Sequence, residues 1–90
     1  AEAQSWGLVN RVVPPETVMD KACAMAQQIA SGPTMAFGGV KRLLDTAFSD
    51  GLETQLDRET RSIADMMRTN DGPAGISAFL AKETPRFEGT

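Results

Sequence analysis

Histidine is absent from this 90-residue chain, and cysteine occurs once, at Cys23. Without histidine, the chain lacks the commonest general base and the commonest metal ligand of proteins. One cysteine cannot form an internal disulfide, and a nucleophilic role for the Cys23 thiol would lack a histidine partner. Because Cys23 lies among apolar residues in a helical pattern, we interpret it as a small buried hydrophobic side chain.

Basic charge and long apolar runs are also scarce. The chain has 9 lysines and arginines against 12 acidic residues, a net charge of −3. This balance argues against a nucleic-acid partner, since nucleic-acid-binding proteins usually carry a basic face. The apolar stretches are far shorter than the roughly 20 residues that a membrane span needs, and no signal segment opens the chain. We expect no nucleic-acid or membrane partner and a cytoplasmic location, with an organelle open for a eukaryotic source.

Candidate catalytic and metal-binding groups are equally few. No glycine-rich phosphate loop follows a strand, and no cysteine–histidine cluster has the spacing of a metal site. Glu59 lies on an apolar stripe between Leu56 and Ile63, which leaves two interpretations, a catalytic acid or an acid paired with an arginine. A lone carboxylate cannot do paired acid–base work. We therefore predict no catalytic residue and no metal ligand within the chain.

What the sequence does contain is apolar periodicity typical of amphipathic helices, interrupted by glycine and proline. Asp71 is the predicted N-cap of the last helix, and Ser49 or Asp50 that of the helix before it. Residues 7–13 read as a short extended segment that pairs with something absent or lies as a loop. The fold class is therefore all-α, with three long helices and one short one. The predicted helices cover about residues 15–31, 34–48, 51–68 and 73–83.

Two details within these helices carry structural predictions. Gly38 and Gly39 each cost roughly 1 kcal/mol in a helix interior relative to alanine. We interpret them as the site where another backbone approaches closely, with a break in the helix as the alternative. Asp57 and Arg61 have the i,i+4 spacing of a favourable surface ion pair.

Near its start the chain has Gly7-Leu8-Val9-Asn10, and its last residues run from Asp71 through Ala78-Phe79 and Lys82 to Gly89. These two stretches resemble the crotonase superfamily, the enoyl-CoA hydratase/isomerase proteins. Their usual ending runs D-x-x-E-G-x-x-A-F-x-x-K-R-x-P-x-F-x-G, and their G-L-V-N stretch is similar to residues 7–10. This chain departs from the ending at Ala74, where the family often has glutamate, and at Glu83, where it often has arginine. The residues that match the ending are Asp71, Gly75, Ala78, Phe79, Lys82, Pro85, Phe87 and Gly89.

The resemblance implies that these residues are the C-terminal helical region of a crotonase-like fold, without its β/α spiral core. In the family, that spiral supplies the oxyanion hole and the acidic residues that move protons. Because the chain starts at Ala1, without an initiator methionine, and resembles only the C-terminal region of the family, we expect it to be a piece of a longer protein. The full-length protein would act on acyl-CoA thioesters as a hydratase, isomerase or related lyase, with coenzyme A as part of the substrate and no separate cofactor.

The resemblance also assigns roles to two residues and to the helices as a whole. Lys82 would approach the CoA phosphates and Phe79 would line the site, while Glu83 places a negative charge beside that contact. The helices would close the CoA site and mediate a homo-oligomer, a trimer in the full-length family and a swapped dimer as one arrangement of the fragment. The fragment alone should be inactive. The alternative is a stand-alone helical interaction module with no enzymatic parent.

Overall fold

A computed structural model describes residues 1–90, and every regular element in it is helical. The prediction of an all-α chain is confirmed. No strand forms in residues 7–13, which lie as a loop that receives one weak hydrogen bond, from Gln4 Nε2 to Asn10 O at 3.4 Å. The elements are α1 (Glu2–Ser5), a 3₁₀ turn (Pro15–Thr17), α2 (Val18–Ala30), α3 (Thr34–Thr46), α4 (Leu52–Met66) and α5 (Asp71–Ala81).

The helix boundaries follow the local chemistry to within a turn. Pro15 opens a single 3₁₀ turn, and α2 begins only at Val18. Gly32 and Pro33 separate α2 from α3 as expected, because proline lacks the N–H that would continue the first helix. The helix α1 was not predicted, since four residues are one turn and cannot display an apolar period.

The main packing between helices is that of α3 against α4, and glycine makes it possible. Gly39 is buried, and a Cβ added there would lie 3.0 Å from Ser62 Oγ on α4. A Cβ on Gly38 would meet only Arg42 Nη1, at 3.6 Å. A close approach therefore exists at Gly39, but it is that of a side chain, so the prediction that another backbone approaches the glycine pair was wrong. The helix continues through both glycines without a break.

The predicted cap of α4 was wrong. The residue before the helix is Gly51, and no side chain caps it. Ser49 Oγ donates a hydrogen bond to Thr46 O at 3.1 Å. Asp50 instead forms an ion pair with Arg58, with 2.7 Å between Oδ2 and Nε, although the N–H is not aligned for a hydrogen bond. The attraction of a guanidinium one to two turns into the helix has outweighed local capping.

The i,i+4 pair predicted on the exposed side of α4 is confirmed. Arg61 Nη2 lies 2.8 Å from Asp57 Oδ2, and both side chains remain largely in solvent. Such exposed pairs contribute only a few tenths of a kcal/mol. The pair therefore identifies the solvent-exposed face of α4 and adds little to the stability of the helix.

The chain has no apolar core of its own. Its accessible surface is 7507 Å². A compact monomer of the same mass would expose only about 5,100 Å². Its radius of gyration is 16.8 Å, whereas a compact domain of this length would have a radius of gyration of about 12 Å. No hydrophobic side chain is buried, so these helices form a layer whose apolar side has nothing packed upon it.

The helix α2 shows this most clearly, because its contacts are mainly with the 3₁₀ turn that precedes it. All of its residues are exposed, Cys23 among them. The prediction that Cys23 is a buried hydrophobic side chain was therefore wrong for this chain. Periodicity identified an apolar helix correctly, but nothing within the 90 residues covers it.

Candidate functional site

The C-terminal tail is fastened to the start of α5 by one carboxylate. Asp71 is 5% exposed, and its two oxygens accept hydrogen bonds from the backbone N–H groups of Glu88 and Gly89, each at 2.8 Å. In return, the main-chain oxygen of Thr90 accepts from the N–H groups of Asn70 and Asp71, at 2.8 and 3.1 Å. The first N–H groups of a helix normally lack partners. Here the tail supplies them, so the helix start and the tail satisfy each other.

The prediction that Asp71 is the N-cap of α5 was wrong for the same reason. Asp71 is the first helical residue, and its carboxylate is committed to the tail. The local hydrogen bond comes from Thr69, whose Oγ1 accepts from the N–H of Gly72 at 3.1 Å. Thr69 also donates through the same hydroxyl to Met66 O at 2.7 Å, which links the end of α4 to the start of α5. The sequence pattern missed this threonine.

Phe87 seats the tail on the body of α5. A Cβ added to Gly75 would lie 3.2 Å from Phe87 Cε1 and 3.6 Å from its Cζ, so the ring rests where Gly75 leaves room. Phe87 also borders a cleft of about 240 Å³ between the start of α3, the end of α4 and α5, together with Met35, Met66 and Ile76. Four of the family-like residues of the ending, Asp71, Gly75, Phe87 and Gly89, therefore take part in holding the tail in place.

The helix α5 ends in a left-handed residue that is not glycine. Lys82 has φ 58° and ψ 36°. Its N–H donates to Phe79 O at 3.1 Å, and the N–H of Glu83 donates to Ala78 O at 2.9 Å. These two bonds are the Schellman arrangement, which usually has glycine at the left-handed position. A side chain there costs roughly 1–2 kcal/mol of backbone strain.

The structure places Phe79 and Lys82, the two predicted ligand-contacting residues, on the last turn of α5 and its cap. Phe79 is 80% exposed, and Lys82 is exposed as well. The two are linked directly by the Lys82 N–H to Phe79 O hydrogen bond. An exposed aromatic side chain and a cation at the negative end of a helix can serve a ligand that has apolar and anionic parts. Their contact with CoA stays a prediction.

The interpretation of Glu59 as an acid paired with an arginine was wrong. Glu59 is exposed, and its Oε1 accepts a hydrogen bond from Gln55 Nε2 at 3.3 Å. No group of three or more His, Cys, Asp or Glu side chains is placed to hold a metal ion. No helix combines the length and apolar character needed to cross a bilayer.

An all-helical layer with an uncovered apolar side, a clasped tail and a cationic cap defines an accessory region of a larger globular assembly. The comparison with known families identifies which one. The enoyl-CoA hydratase/isomerase family model matches residues 1–90. The chain belongs to this family, the crotonase superfamily, as the resemblance of its two ends predicted.

Individual relatives agree. The chain is 39% identical over 88 residues to the 1,2-epoxyphenylacetyl-CoA isomerase of Escherichia coli, covering 98% of this chain and 34% of that protein. It is 33% identical over 88 residues to the 2,3-dehydroadipyl-CoA hydratase of the same organism, with the same coverage of each. The chain thus spans about a third of the length of the curated relatives that it matches.

Solved structures show the same fold. The chain superposes with a TM-score of 0.92 and 38% identity on a candidate enoyl-CoA hydratase/isomerase from Mycobacterium abscessus, covering 99% of this chain and 34% of that one. A subunit of an enoyl-CoA hydratase from Geobacillus kaustophilus gives a TM-score of 0.91 at 32% identity, with 99% and 35% covered. The fold class, the helical region of a crotonase-like fold, is confirmed. A stand-alone interaction module without an enzymatic parent is not favoured.

Proposed function

We propose that these 90 residues form the helical layer that covers and closes the acyl-CoA site of an enzyme acting on acyl-CoA thioesters, and that joins its subunits. The observation that carries the proposal is the accessible surface of 7507 Å². It exceeds that of a compact monomer of this mass by about 2,400 Å². Obligate subunit interfaces bury about 2,000–5,000 Å² and are rich in apolar side chains. The uncovered side of this layer has the size and the composition of such an interface.

The proposed reaction class is that of the family: hydration, isomerisation or a related lyase reaction of a CoA thioester. The printed names of the two E. coli relatives, an isomerase and a hydratase of CoA thioesters, support this. The chain has no histidine, and no three of its Cys, Asp and Glu side chains are grouped as for a metal ion. The oxyanion hole that stabilises an enolate-like intermediate is proposed to come from the β/α spiral that the family has outside these helices. The layer contributes closure and assembly, and alone it is inactive.

Within the site, Lys82 is proposed to contact the CoA phosphates and Phe79 to line the cavity. The Lys82 ammonium stands at the C-terminal end of α5, where the helix dipole already favours a cation. Its backbone is left-handed and strained, and such strain is retained most often where function requires a side chain. Glu83 follows directly and opposes an anion, so its charge should weaken the contact.

The first test uses the full gene product, meaning the natural protein that contains this chain. We expect turnover of at least one member of a panel of straight-chain, branched and aromatic enoyl-CoA thioesters. The matched control is the 90-residue chain alone, which should show none. Turnover by the isolated chain, or no CoA thioester bound or converted by the full product, would contradict the proposal.

The second test concerns Lys82 alone. Lys82→Gln should weaken CoA binding about five- to tenfold, because a hydrogen bond to a charged group contributes more than about 1 kcal/mol. Glu83→Gln, its matched control, should strengthen binding slightly by removing a repelling charge. Calorimetric titration with CoA at low and high salt measures both. Equal affinity in Lys82→Gln and the native protein would remove Lys82 from the site.

The third test concerns assembly. We propose a homo-oligomer, a trimer for the full product, in a cytoplasmic compartment. A swapped dimer is the expected alternative for the isolated chain, because the short Gly32-Pro33 and Ser49-Asp50 connections could open and let helices pair between copies. Sedimentation across a concentration series measures the mass. A well-folded monomer at every concentration would show that the apolar side is satisfied within one copy.

A further inference from the structure

A second polar feature lies at the α3–α4 contact and includes no residue of the tail. A cleft of about 270 Å³ opens between these helices. Its wall is mostly polar, although Gly39 and Leu43 also line it. The residues around it include Arg42 on α3 and, on α4, Arg58, Arg61, Ser62 and Asp65. Three guanidinium groups thus share one cleft in a chain whose net charge is −3.

The glycines make room for one of these guanidinium groups. Arg42 Nη1 lies 3.6 Å from the position of a Cβ on Gly38, and Nη2 lies 4.0 Å from that on Gly39. The guanidinium is therefore folded back over the glycine pair, at the mouth of the α3–α4 contact. Bulkier residues at these two positions would occupy the space beside it. The absence of side chains at Gly38 and Gly39 therefore leaves the space that the Arg42 guanidinium occupies.

Arg42 is the arginine of the cleft without a carboxylate partner. Arg58 is paired with Asp50 at 2.7 Å, and Arg61 with Asp57 at 2.8 Å. Asp65, which also borders the cleft, is already engaged by Arg68 at 3.2 Å. Its charge opposes an anion, but it is balanced by that arginine. The cleft therefore keeps one uncompensated positive charge, at Arg42.

Ser62 adds a neutral donor at the same place. Its Oγ stands 3.0 Å from the Gly39 Cβ position, and it forms no hydrogen bond, unlike Thr60 on the same helix, whose Oγ1 donates to Leu56 O. A serine hydroxyl and a guanidinium that face one cleft with no partner both donate hydrogen bonds to oxygen anions. The planar fork of arginine matches the oxygens of a phosphate group.

We propose that the cleft between α3 and α4 binds a phosphate-bearing anion, held chiefly by the Arg42 guanidinium, with the Ser62 hydroxyl as a second hydrogen-bond donor. The volume accommodates such an anion with several waters, since each water takes roughly 30 Å³ in the liquid. The site is separate from Lys82, which lies at the end of α5. It goes beyond the proposed function, which assigns the CoA phosphates to Lys82 and gives this cleft no role.

The test uses the full gene product and two probes, inorganic phosphate and adenosine 5′-monophosphate. Both are titrated by calorimetry at constant ionic strength, with chloride as the balancing ion, because surface charge attraction is screened by salt. We expect saturable binding of at least one probe. Tighter binding of phosphate assigns the site to the free ion, and tighter binding of the nucleotide assigns it to a phosphomonoester.

Two variants decide whether the cleft is responsible. Arg42→Gln should weaken binding about tenfold or more, and Ser62→Ala about fivefold, from the loss of a charge-assisted hydrogen bond. Lys41→Gln removes the same charge from the same helix outside the cleft, and should change affinity less than about twofold. Absence of saturable binding overturns the proposal, as does equal loss in Arg42→Gln and Lys41→Gln. Binding abolished by Lys82→Gln but kept in Arg42→Gln would also overturn it.

Discussion

The Oδ2 atom of Asp71 accepts a hydrogen bond from the backbone N–H of Gly89 at 2.8 Å, across 18 residues of sequence. The other carboxylate oxygen holds the N–H of Glu88 at the same distance. One buried side chain thus determines where the tail after α5 runs. The same tail places the Phe87 ring against Gly75, so the position of this ring also depends on Asp71.

The first prediction concerns this clasp. Asp71→Ala should lower the free energy of unfolding of the full gene product by about 3 kcal/mol, because two N–H groups lose charge-assisted partners. Thermal unfolding measures the loss, and amide exchange should show lost protection at residues 88 and 89. Glu88→Gln is the control, since Glu88 contributes only its backbone N–H to the clasp. An equal effect of both variants would show that the tail is held by other contacts.

The second prediction compares neighbouring glycines. Gly39→Ala should destabilise the α3–α4 contact, because its Cβ would lie 3.0 Å from Ser62 Oγ. Ser62→Ala in the same chain should restore much of the loss by removing that atom. Gly38→Ala has no such neighbour and should stabilise by up to ~1 kcal/mol through helix propensity. Chemical denaturation of the three variants measures these changes. A destabilising Gly38→Ala would contradict this account of the contact.

The third prediction separates backbone strain from charge at the end of α5. Lys82→Gly should raise the free energy of unfolding by about 1 kcal/mol, because glycine adopts the left-handed conformation freely. Lys82→Ala removes the same charge but keeps the strain, so it should leave stability nearly unchanged. Both variants should lose CoA affinity equally if the proposed contact is electrostatic. Equal stability of the two would mean that the left-handed cap is not strained.

The fourth prediction ranks two ion pairs on α4. The Asp50 side chain beside Arg58 is only 18% exposed, whereas Arg61 and Asp57 are 77% and 59% exposed. Asp50→Asn should therefore cost about 1 kcal/mol. Asp57→Asn should cost less than about 0.5 kcal/mol, because water screens an exposed pair. Urea denaturation at low and at high salt gives both values, and a larger loss for Asp57→Asn would reverse the assigned importance of the two pairs.

The long helices could be predicted because their apolar spacing and their Gly32-Pro33 stop act locally. The roles of Asp50 and Asp71 could not be predicted, because neither carboxylate binds the N–H groups of the nearest helix start. Asp50 pairs with Arg58 inside α4, and Asp71 binds the N–H groups of Glu88 and Gly89 in the tail. We expected each carboxylate to cap the helix that follows it, but each binds an arginine or backbone N–H groups elsewhere instead. Thr69 was overlooked for the opposite reason, since Asp71 two residues later drew the capping assignment.

The candidate site was also predicted only in part from the sequence. Phe79 and Lys82 were found through the family ending, which records a pattern without its geometry. The left-handed backbone of Lys82 had no sequence signal, because glycine is the usual residue there. The arginine cleft was missed because it combines residues 42, 58, 61 and 62 from two helices. Only the packing at Gly39 brings them together.

The absence of a buried hydrophobic side chain has a calorimetric consequence. The heat-capacity change and the denaturant dependence of unfolding both scale with the surface that unfolding exposes. Helices that already expose their apolar side have little further surface to give up, so the isolated layer should melt over a broad range with a shallow slope. A sharp transition requires the surface that covers the layer. The cooperativity of these helices is therefore a property they acquire from whatever they pack against.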